Sequence, residues 1–209
     1  MFLPIFPLKL IVYPNEKANL HLFEERYKEL INDCEKDNLT FGMPVFMNGK
    51  VHAYGCELKI EVIQKRYDDG KIDVSCRGQR IFKCLDIKNS VEGKLYAGAE
   101  VAWVNQDMQQ NILTNITIIE KLHQLYKLLK INRTIPADPA DVWAFDIAHH
   151  IGFSINQEYQ LLTIESEEER MTMIESHMTN LIPTLQEMER LKERVRMNGH
   201  FKNISPPKF

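Results

Sequence analysis

The densest group of side chains that could do chemistry is Asp146 with His149 and His150. On a helix, residues three and four positions apart lie on one face, so the carboxylate and both imidazoles could converge on a metal ion. The neighbouring sequence supplies no further ligand, and an intrahelical pair of Asp146 with His150 is a simpler interpretation. A metal-dependent hydrolase is therefore one alternative, while our prediction is that the chain holds no metal and no cofactor.

Motifs of other catalytic classes are absent from the sequence. It contains neither the phosphate-binding patterns G-x-x-x-x-G-K-[ST] and G-x-G-x-x-G nor the hydrolase patterns G-x-S-x-G and H-E-x-x-H. Ser154 and Ser166 stand where helix caps are expected. Ser75 and Ser90 lie in strand-like sequence without the desolvated lysine that a Ser–Lys dyad needs. We therefore predict no catalytic residues and expect that the chain is not an enzyme.

Composition and the lengths of the apolar runs argue against a nucleic-acid-binding protein and against a membrane protein. The 209 residues are 44% hydrophobic and 26% charged, with a net charge of -3, which is typical of a globular protein and argues against a dedicated nucleic-acid binder. Because the last stretch is locally basic, binding of RNA or another nucleic acid stays an alternative. The apolar start is broken by Pro4 and Pro7, and no apolar run reaches the ~20 residues that span a bilayer. We expect a cytoplasmic protein that does not bind membranes.

Cysteine usage agrees with that compartment. Cys34, Cys56, Cys76 and Cys84 form no C-x-x-C pair, and each lies among apolar neighbours. Free buried thiols in a reducing compartment are the expected state, rather than disulfides or zinc ligands.

The first half of the chain carries strand patterns. Apolar residues alternate with polar ones in 57–62 and 72–76, and the dipeptides Asn48-Gly49 and Asp69-Gly70 are typical of hairpin turns. Segment 25–36 instead has apolar residues at i, i+3, i+4 and i+7, which predicts an amphipathic helix that plugs one end of the sheet structure. Short antiparallel strands at this spacing indicate a sandwich or a small barrel.

Near Asn105 the apolar period becomes helical. Asp138-Pro139 is a cap and first-turn pair, and Ser154 with Gln157 forms the pattern of a capping box. The last helix is predicted to start near Glu167. A long helix before these is indicated by the apolar stripe Ile112, Ile116, Ile119, Leu122, Leu125 and Leu129. We therefore predict a helical bundle over 107–198 that ends in a long helix, and a flexible tail over 199–209.

The last helix carries a regular apolar stripe. Its members are Met171, Ile174, Met178, Leu181, Leu185, Met188 and Val195. A stripe with this spacing packs on another helix. Packing inside the chain's own bundle is one interpretation. The other is that Leu185, Met188 and Val195 form a seam with a partner protein or with a second copy, which predicts a homodimer through the last helix.

Several motifs together resemble a known family. They are Leu3-Pro4-Ile5-Phe6-Pro7-Leu8, Pro14, Leu20-His21-Leu22-Phe23-Glu24-Glu25-Arg26-Tyr27, Phe41-Gly42, Gly55, Gly78-Gln79-Arg80-Ile81-Phe82 and Tyr96-Ala97-Gly98-Ala99-Glu100-Val101. Their combined spacing is similar to the N-terminal (substrate-recognition) domain of Lon protease, and the helical half fits as far as Leu191. The resemblance implies an α+β fold: a six-stranded-type antiparallel pseudo-barrel, PUA-like, with a plug helix over 1–106, followed by the helical bundle.

The same resemblance implies a function. We expect a stand-alone member of the family without the ATPase and peptidase domains of Lon protease, and therefore a protein-binding module. Its partners would be unfolded or partly folded proteins, or one specific partner protein. An extended peptide could be held by an exposed strand edge or by a patch at Phe46, Met47 and Tyr67. Asn15 and Cys56 depart from the residues usual in the family, without obvious harm to the fold.

Overall fold

A computed structural model describes the backbone of residues 1–200 and the side chains of residues 1–197. The predicted flexible tail therefore lies outside the described residues, except for its first two positions. The described strands are β1 (Phe2–Ile5), β2 (Lys17–Leu22), β3 (Phe41–Met47), β4 (Lys50–Arg66), β5 (Ile72–Lys88) and β6 (Ala97–Trp103). The described helices are α1 (Glu25–Asp37), α2 (Ile112–Leu129), α3 (Ala144–Ile147), α4 (Ile155–Thr163) and α5 (Glu167–His200), with 3₁₀ turns at Pro139–Asp141 and Ala148–His150.

The strands form one sheet that closes on itself. Their order is β2-β5-β4-β3-β1-β6, and β6 also pairs with β5. Strand β5 is 17 residues long, so it can pair with both β2 and β6: its first half pairs with β2 and its second half with β6. All described pairings between strands are antiparallel except that of β1 with β3. The predicted α+β pseudo-barrel is confirmed.

Bulges allow the two longest strands to curve around the barrel. The β4–β5 ladder shifts register three times, and each extra residue increases the local bend and twist. Gly78 lies opposite the first shift, and a Cβ atom there would come within 2.1 Å of the carbonyl oxygen of Tyr13. Glycine is therefore required at this position so that the chain before β2 can approach β5.

Local turn and helix predictions agree with the structure. Asn48 and Gly49 both have positive φ, at 52° and 75°, as a two-residue type I′ hairpin requires. The hairpin at Gly70 is also present, with the Gly70 N–H donating to the carbonyl of Tyr67. The buried face of α1 consists of the four predicted residues, Tyr27, Leu30, Ile31 and Cys34, which pack into the main core of the barrel.

The predicted apolar face of α2 is partly wrong. Ile112, Ile116 and Leu129 are exposed, and the buried face is instead Asn115, Ile118, Leu122, Leu125 and Tyr126. On the buried face, the Asn115 side chain donates to the carbonyl of Pro139 at 2.8 Å, in the 3₁₀ turn that packs on α2. The apolar pattern alone therefore did not identify the face of α2 that is buried.

Residue contacts divide the chain into two compact units. The first holds Met1–Met108 with Phe145–Glu167, and the second holds Gln109–Ala144 with the chain from Glu168 on. The predicted domain boundary after residue 106 stays a prediction about which parts fold independently. No helix within the described residues is long and apolar enough to cross a membrane.

The capping box at the start of α4 is present as predicted. The Ser154 hydroxyl accepts from the Gln157 N–H, and the Gln157 side chain accepts from the Ser154 N–H at 2.9 Å. Replacing Ser154 with alanine should lower the free energy of unfolding by about 1 kcal/mol, because one end of the box is lost. Urea denaturation measures this change. Ser90→Ala, at an exposed serine, is the control, and equal stability of both variants would contradict the assigned role.

Candidate functional site

The outer edge of β2 is open. This strand is last in the sheet order, and no described strand other than β5 pairs with it. Every second side chain of β2, starting at Ala18, is buried, so one face belongs to the core and the other meets solvent. An unpaired edge presents N–H and C=O groups to which an extended peptide can add as a further strand.

A cavity of about 210 Å³ lies along this strand. Its apolar lining is made by Phe6, Leu8, Leu10, Leu20, Leu22 and Phe23. Phe23 is 63% exposed and Leu10 is 40% exposed, so both have apolar surface in contact with solvent. The volume is below the ~300 Å³ at which pockets for small molecules begin, and it suits a single large side chain. We call β2 together with this cavity the β2 groove.

A chain of hydrogen-bonded side chains flanks the β2 groove. His21 lines the cavity, and its Nδ1 lies 2.6 Å from one carboxylate oxygen of Asp73, directly across the β2–β5 ladder. The hydroxyl of Tyr67 donates to the other oxygen at 2.7 Å. These two hydrogen bonds lower the pKa of Asp73, and the bond to Asp73 raises the pKa of Tyr67. An ionised Asp73 therefore holds both rings at the border of the groove.

Two of the three predicted peptide-binding residues lie next to the β2 groove. The ring of Tyr67 meets His21 edge-on, with centroids 6.0 Å apart. Phe46 is 41% exposed, and its N–H donates to the carbonyl of Leu8 at 2.9 Å. His21 and Leu8 line the cavity, so Tyr67, which directly follows β4, and Phe46 of β3 each contact a lining residue without lining the cavity themselves. The side chain of Met47 is buried, with 4% exposed, and lies on the core side of β3.

The residues of the predicted seam lie in the C-terminal half of α5, in the second unit. Leu185 is half-buried, Met188 is 49% exposed and Val195 is 72% exposed. Earlier members of the same stripe, Met171 and Met178 among them, are fully buried. The stripe is therefore covered within the bundle at its start and open to solvent at its end.

A second cluster of charged groups surrounds His149 in the first unit. Its Nδ1 lies 2.8 Å from a carboxylate oxygen of Glu158, and its Nε2 lies 3.2 Å from a carboxylate oxygen of Glu16. Burial opposes the charged imidazole, but the hydrogen bonds to Glu158 and Glu16 and the charges of both carboxylates outweigh burial and raise the pKa of His149 to about 9. At neutral pH His149 is therefore a cation between two carboxylates.

Tyr13 completes this cluster. It is fully buried, stacks on Phe145 with ring centroids 4.6 Å apart, and donates its hydroxyl to the carbonyl of Glu158 at 3.1 Å. The backbone N–H of Tyr13 also donates to Glu16. The cluster thus ties the chain before β2 to the segment that contains α3 and α4, which is a structural role.

This geometry does not favour the metal-dependent hydrolase. α3 ends at Ile147, and His149 and His150 lie in the following 3₁₀ turn, so Asp146 does not share one regular helix face with them. Both ring nitrogens of His149 already contact carboxylates, those of Glu158 and Glu16. Within residues 1–197, no group of three or more His, Cys, Asp or Glu side chains is placed to hold a metal ion.

The four thiols are free, as predicted. Cys34, Cys56 and Cys76 are buried and Cys84 is partly buried. Burial raises the pKa of Cys34, Cys56 and Cys76 to about 12 and that of Cys84 to about 11. Because the thiolate is the reactive form, these side chains are poor nucleophiles and act as core residues.

Sequence reasoning missed the β2 groove. A signal was present, because Ala18, Leu20 and Leu22 alternate with polar residues at the period of a half-buried strand. The alternation does not reveal that this strand lies at an edge. That depends on β5 pairing with β6 beyond the end of β2, which is a contact between distant parts of the chain. Leu10 and Phe23, in the connections beside β2, carried no pattern of their own.

Comparison with known proteins links this fold to one family. The sequence model of the ATP-dependent protease La (LON) substrate-binding domain matches residues 2–180. The crystal structure of a Lon N-terminal domain protein from Xanthomonas campestris is similar at 25% identity and a TM-score of 0.64, over 82% of this chain and 95% of that chain. None of the curated proteins compared matches the sequence.

A second solved structure shares the fold. It is the N-terminal domain of the Mycobacterium avium complex Lon protease, with 16% identity and a TM-score of 0.66, over 86% of this chain and 98% of that chain. The family match includes all six strands and α1 to α4, so the resemblance predicted from the motifs is confirmed. The chain belongs to the family of the ATP-dependent protease La (LON) substrate-binding domain.

Proposed function

We propose that the chain is a non-catalytic protein-binding module that holds extended, apolar segments of unfolded or partly folded proteins in the β2 groove. One observation carries this proposal: an unpaired strand edge lies beside a cavity whose apolar residues Leu10 and Phe23 are exposed. The family is named for substrate binding, which supports the same conclusion.

The groove combines two kinds of contact. Hydrogen bonds to the β2 edge depend only on the peptide backbone, so they accept any extended sequence. Every second side chain of the added strand then faces the cavity, which favours an apolar residue there. Phe46 and Tyr67 would contact the peptide at the borders of the groove. Ordering the peptide offsets much of the gain, so we expect a dissociation constant on the order of micromolar.

Titration of the purified chain into a fluorescently labelled, permanently unfolded protein tests the proposed function. We expect a saturable rise in anisotropy with a micromolar midpoint that changes little between about 50 and 200 mM salt, because the main contacts are apolar and between backbones. Absence of binding would contradict the proposal. A steep loss of affinity with salt, together with tighter binding of RNA, would instead support the nucleic-acid alternative.

Pairing with the strand edge can be tested separately from the cavity. A short peptide with alternating apolar residues can be N-methylated at all odd or all even positions, which removes the N–H donors along one edge and keeps the side chains. We expect only one of the two methylated peptides to retain binding, since an added strand pairs with β2 through one edge. Equal binding of both would exclude strand addition and leave only the cavity contact.

A further inference from the structure

The last helix runs past the end of its neighbour in the second unit. Asn111, the N-cap of α2, bonds to Glu168 at the start of α5, and Lys121 in the middle of α2 bonds to Glu175. The two helices therefore run side by side in the same direction, with sequence separations of 57 and 54 between bonded residues. If the separation of 54 to 57 residues continues along the pair, Leu129 at the end of α2 lies beside residues 183–186 of α5.

Beyond that level α5 continues for about 20 Å without α2 beside it. Apolar side chains on this extension meet solvent: Met188 and Leu191 are each 49% exposed, and Val195 is 72% exposed. Most helices are stabilised by packing of an apolar face, and the apolar face of this extension is uncovered. The extension therefore has the properties of a helix that packs against a partner.

Charged residues border the apolar stripe in a regular way. Because seven residues make two turns, Glu187 and Arg194 lie on one border, and Glu189 and Arg196 lie on the other. Each border thus carries an acid first and a base two turns later. Glu187 contacts Arg190 of its own helix only at 3.9 Å, between exposed side chains, and such pairs contribute little. Glu189 lies 3.7 Å from Lys192, which is an equally weak pair between exposed side chains, so both acids can exchange these partners for other bases.

We propose that a second copy of this chain covers the stripe, with the two α5 helices antiparallel and Met188 facing the partner's Val195. An antiparallel pair brings the same border of both helices together. Glu187 then meets the partner's Arg194, and Glu189 meets the partner's Arg196. Twofold symmetry repeats both contacts, so four pairs of opposite charge surround the apolar contact.

The charges select against the parallel alternative. A parallel pair joins opposite borders at the same height, which places Glu187 beside the partner's Glu189 and Arg194 beside the partner's Arg196. Like charges then repel along the whole contact. Lys192 lies between Met188 and Val195 at the spacing of the stripe, and its long stem lets the ammonium group reach water. The contact is short, so the dimer should be weak and concentration-dependent.

Sedimentation of the full chain from about 1 to 500 μM tests the dimer, with a dissociation constant in the micromolar range expected. Two double variants give all four border positions the same sign of charge. The first, Glu187→Arg with Glu189→Arg, makes them basic. The second, Arg194→Glu with Arg196→Glu, makes them acidic. Each should raise the dissociation constant at least tenfold, and an equimolar mixture of the two should form a dimer again. Arg190→Glu, on the opposite side of the helix, is the control and should leave dimerisation unchanged.

The antiparallel orientation of the two α5 helices is tested by a separate measurement. Under mild oxidation, a Met188→Cys chain mixed with a Val195→Cys chain should form an intermolecular disulfide faster than either chain alone, because only the mixed pair is adjacent in the antiparallel register. Circular dichroism verifies that each variant keeps its helices. The proposal is overturned if the wild-type chain stays monomeric at the highest concentration, if both charge variants still dimerise, or if each cysteine variant cross-links fastest with itself.

Discussion

A chain in which Leu10 and Phe23 are both replaced by aspartate should bind an unfolded protein about thirtyfold more weakly than the wild type. Both side chains line the cavity of the β2 groove, and both expose apolar surface in the free protein. A bound peptide would cover that surface, which contributes roughly 1 kcal/mol for each side chain. Because neither residue belongs to the buried core, the loss should appear in binding and not in stability.

The anisotropy titration with the labelled unfolded protein measures this effect. Leu39→Asp with Leu85→Asp is a matched control, since these leucines are 49% and 67% exposed and neither lines the β2 groove. The control should keep wild-type affinity. If the control loses as much affinity as the groove variant, the unfolded protein binds to exposed apolar surface in general and not to the β2 groove. If the groove variant still binds as the wild type does, the site lies elsewhere on the protein.

Replacing His149 with glutamine should lower the free energy of unfolding by about 2 kcal/mol near pH 6, and by much less at pH 10. In the folded chain the pKa of His149 is about 9, whereas an unfolded histidine has a pKa of 6.5. The folded state therefore binds the proton more tightly. Its stabilising effect is complete below pH 6.5 and is lost as the pH rises through 9. The side chain is 23% exposed, so we reduce the full conversion of this shift for solvent screening.

Urea denaturation of both proteins between pH 6 and pH 10 measures the difference in the free energy of unfolding. Subtracting the variant from the wild type removes the titration of other groups, which is common to both. His123→Gln, at an exposed position of α2, is the control and should show no such pH-dependent difference. A loss for His149→Gln that is the same at every pH would mean that the imidazole acts through packing alone.

The His149 cluster also explains why helices far along the chain belong to the barrel unit. Phe145 and Glu158 both contact Tyr13, which lies just before β2, so the segment Phe145–Glu167 groups with the strands. Sequence order places the same segment inside the helical half. Only the contacts between distant residues reveal that it returns to the barrel.

Several features were determined by the sequence alone. The turn at Asn48-Gly49, the buried face of α1 and the cap at Ser154 all follow from residues within a few positions of one another. Such signals act through local backbone geometry and helical period, so they need no knowledge of the rest of the chain. The spacing of the motifs was likewise enough to predict the family.

Tertiary structure decided which surfaces remain open. The edge of β2 is free because β6 pairs with β5 and β1 and not with β2, and the buried face of α2 includes Asn115, which donates to the carbonyl of Pro139. Met47 is buried although it stands beside a turn, while Leu10 and Phe23 are exposed although they are apolar. Burial and pairing at these positions depend on partners many residues away, which local propensity does not encode. The candidate site could therefore be located only from the folded chain.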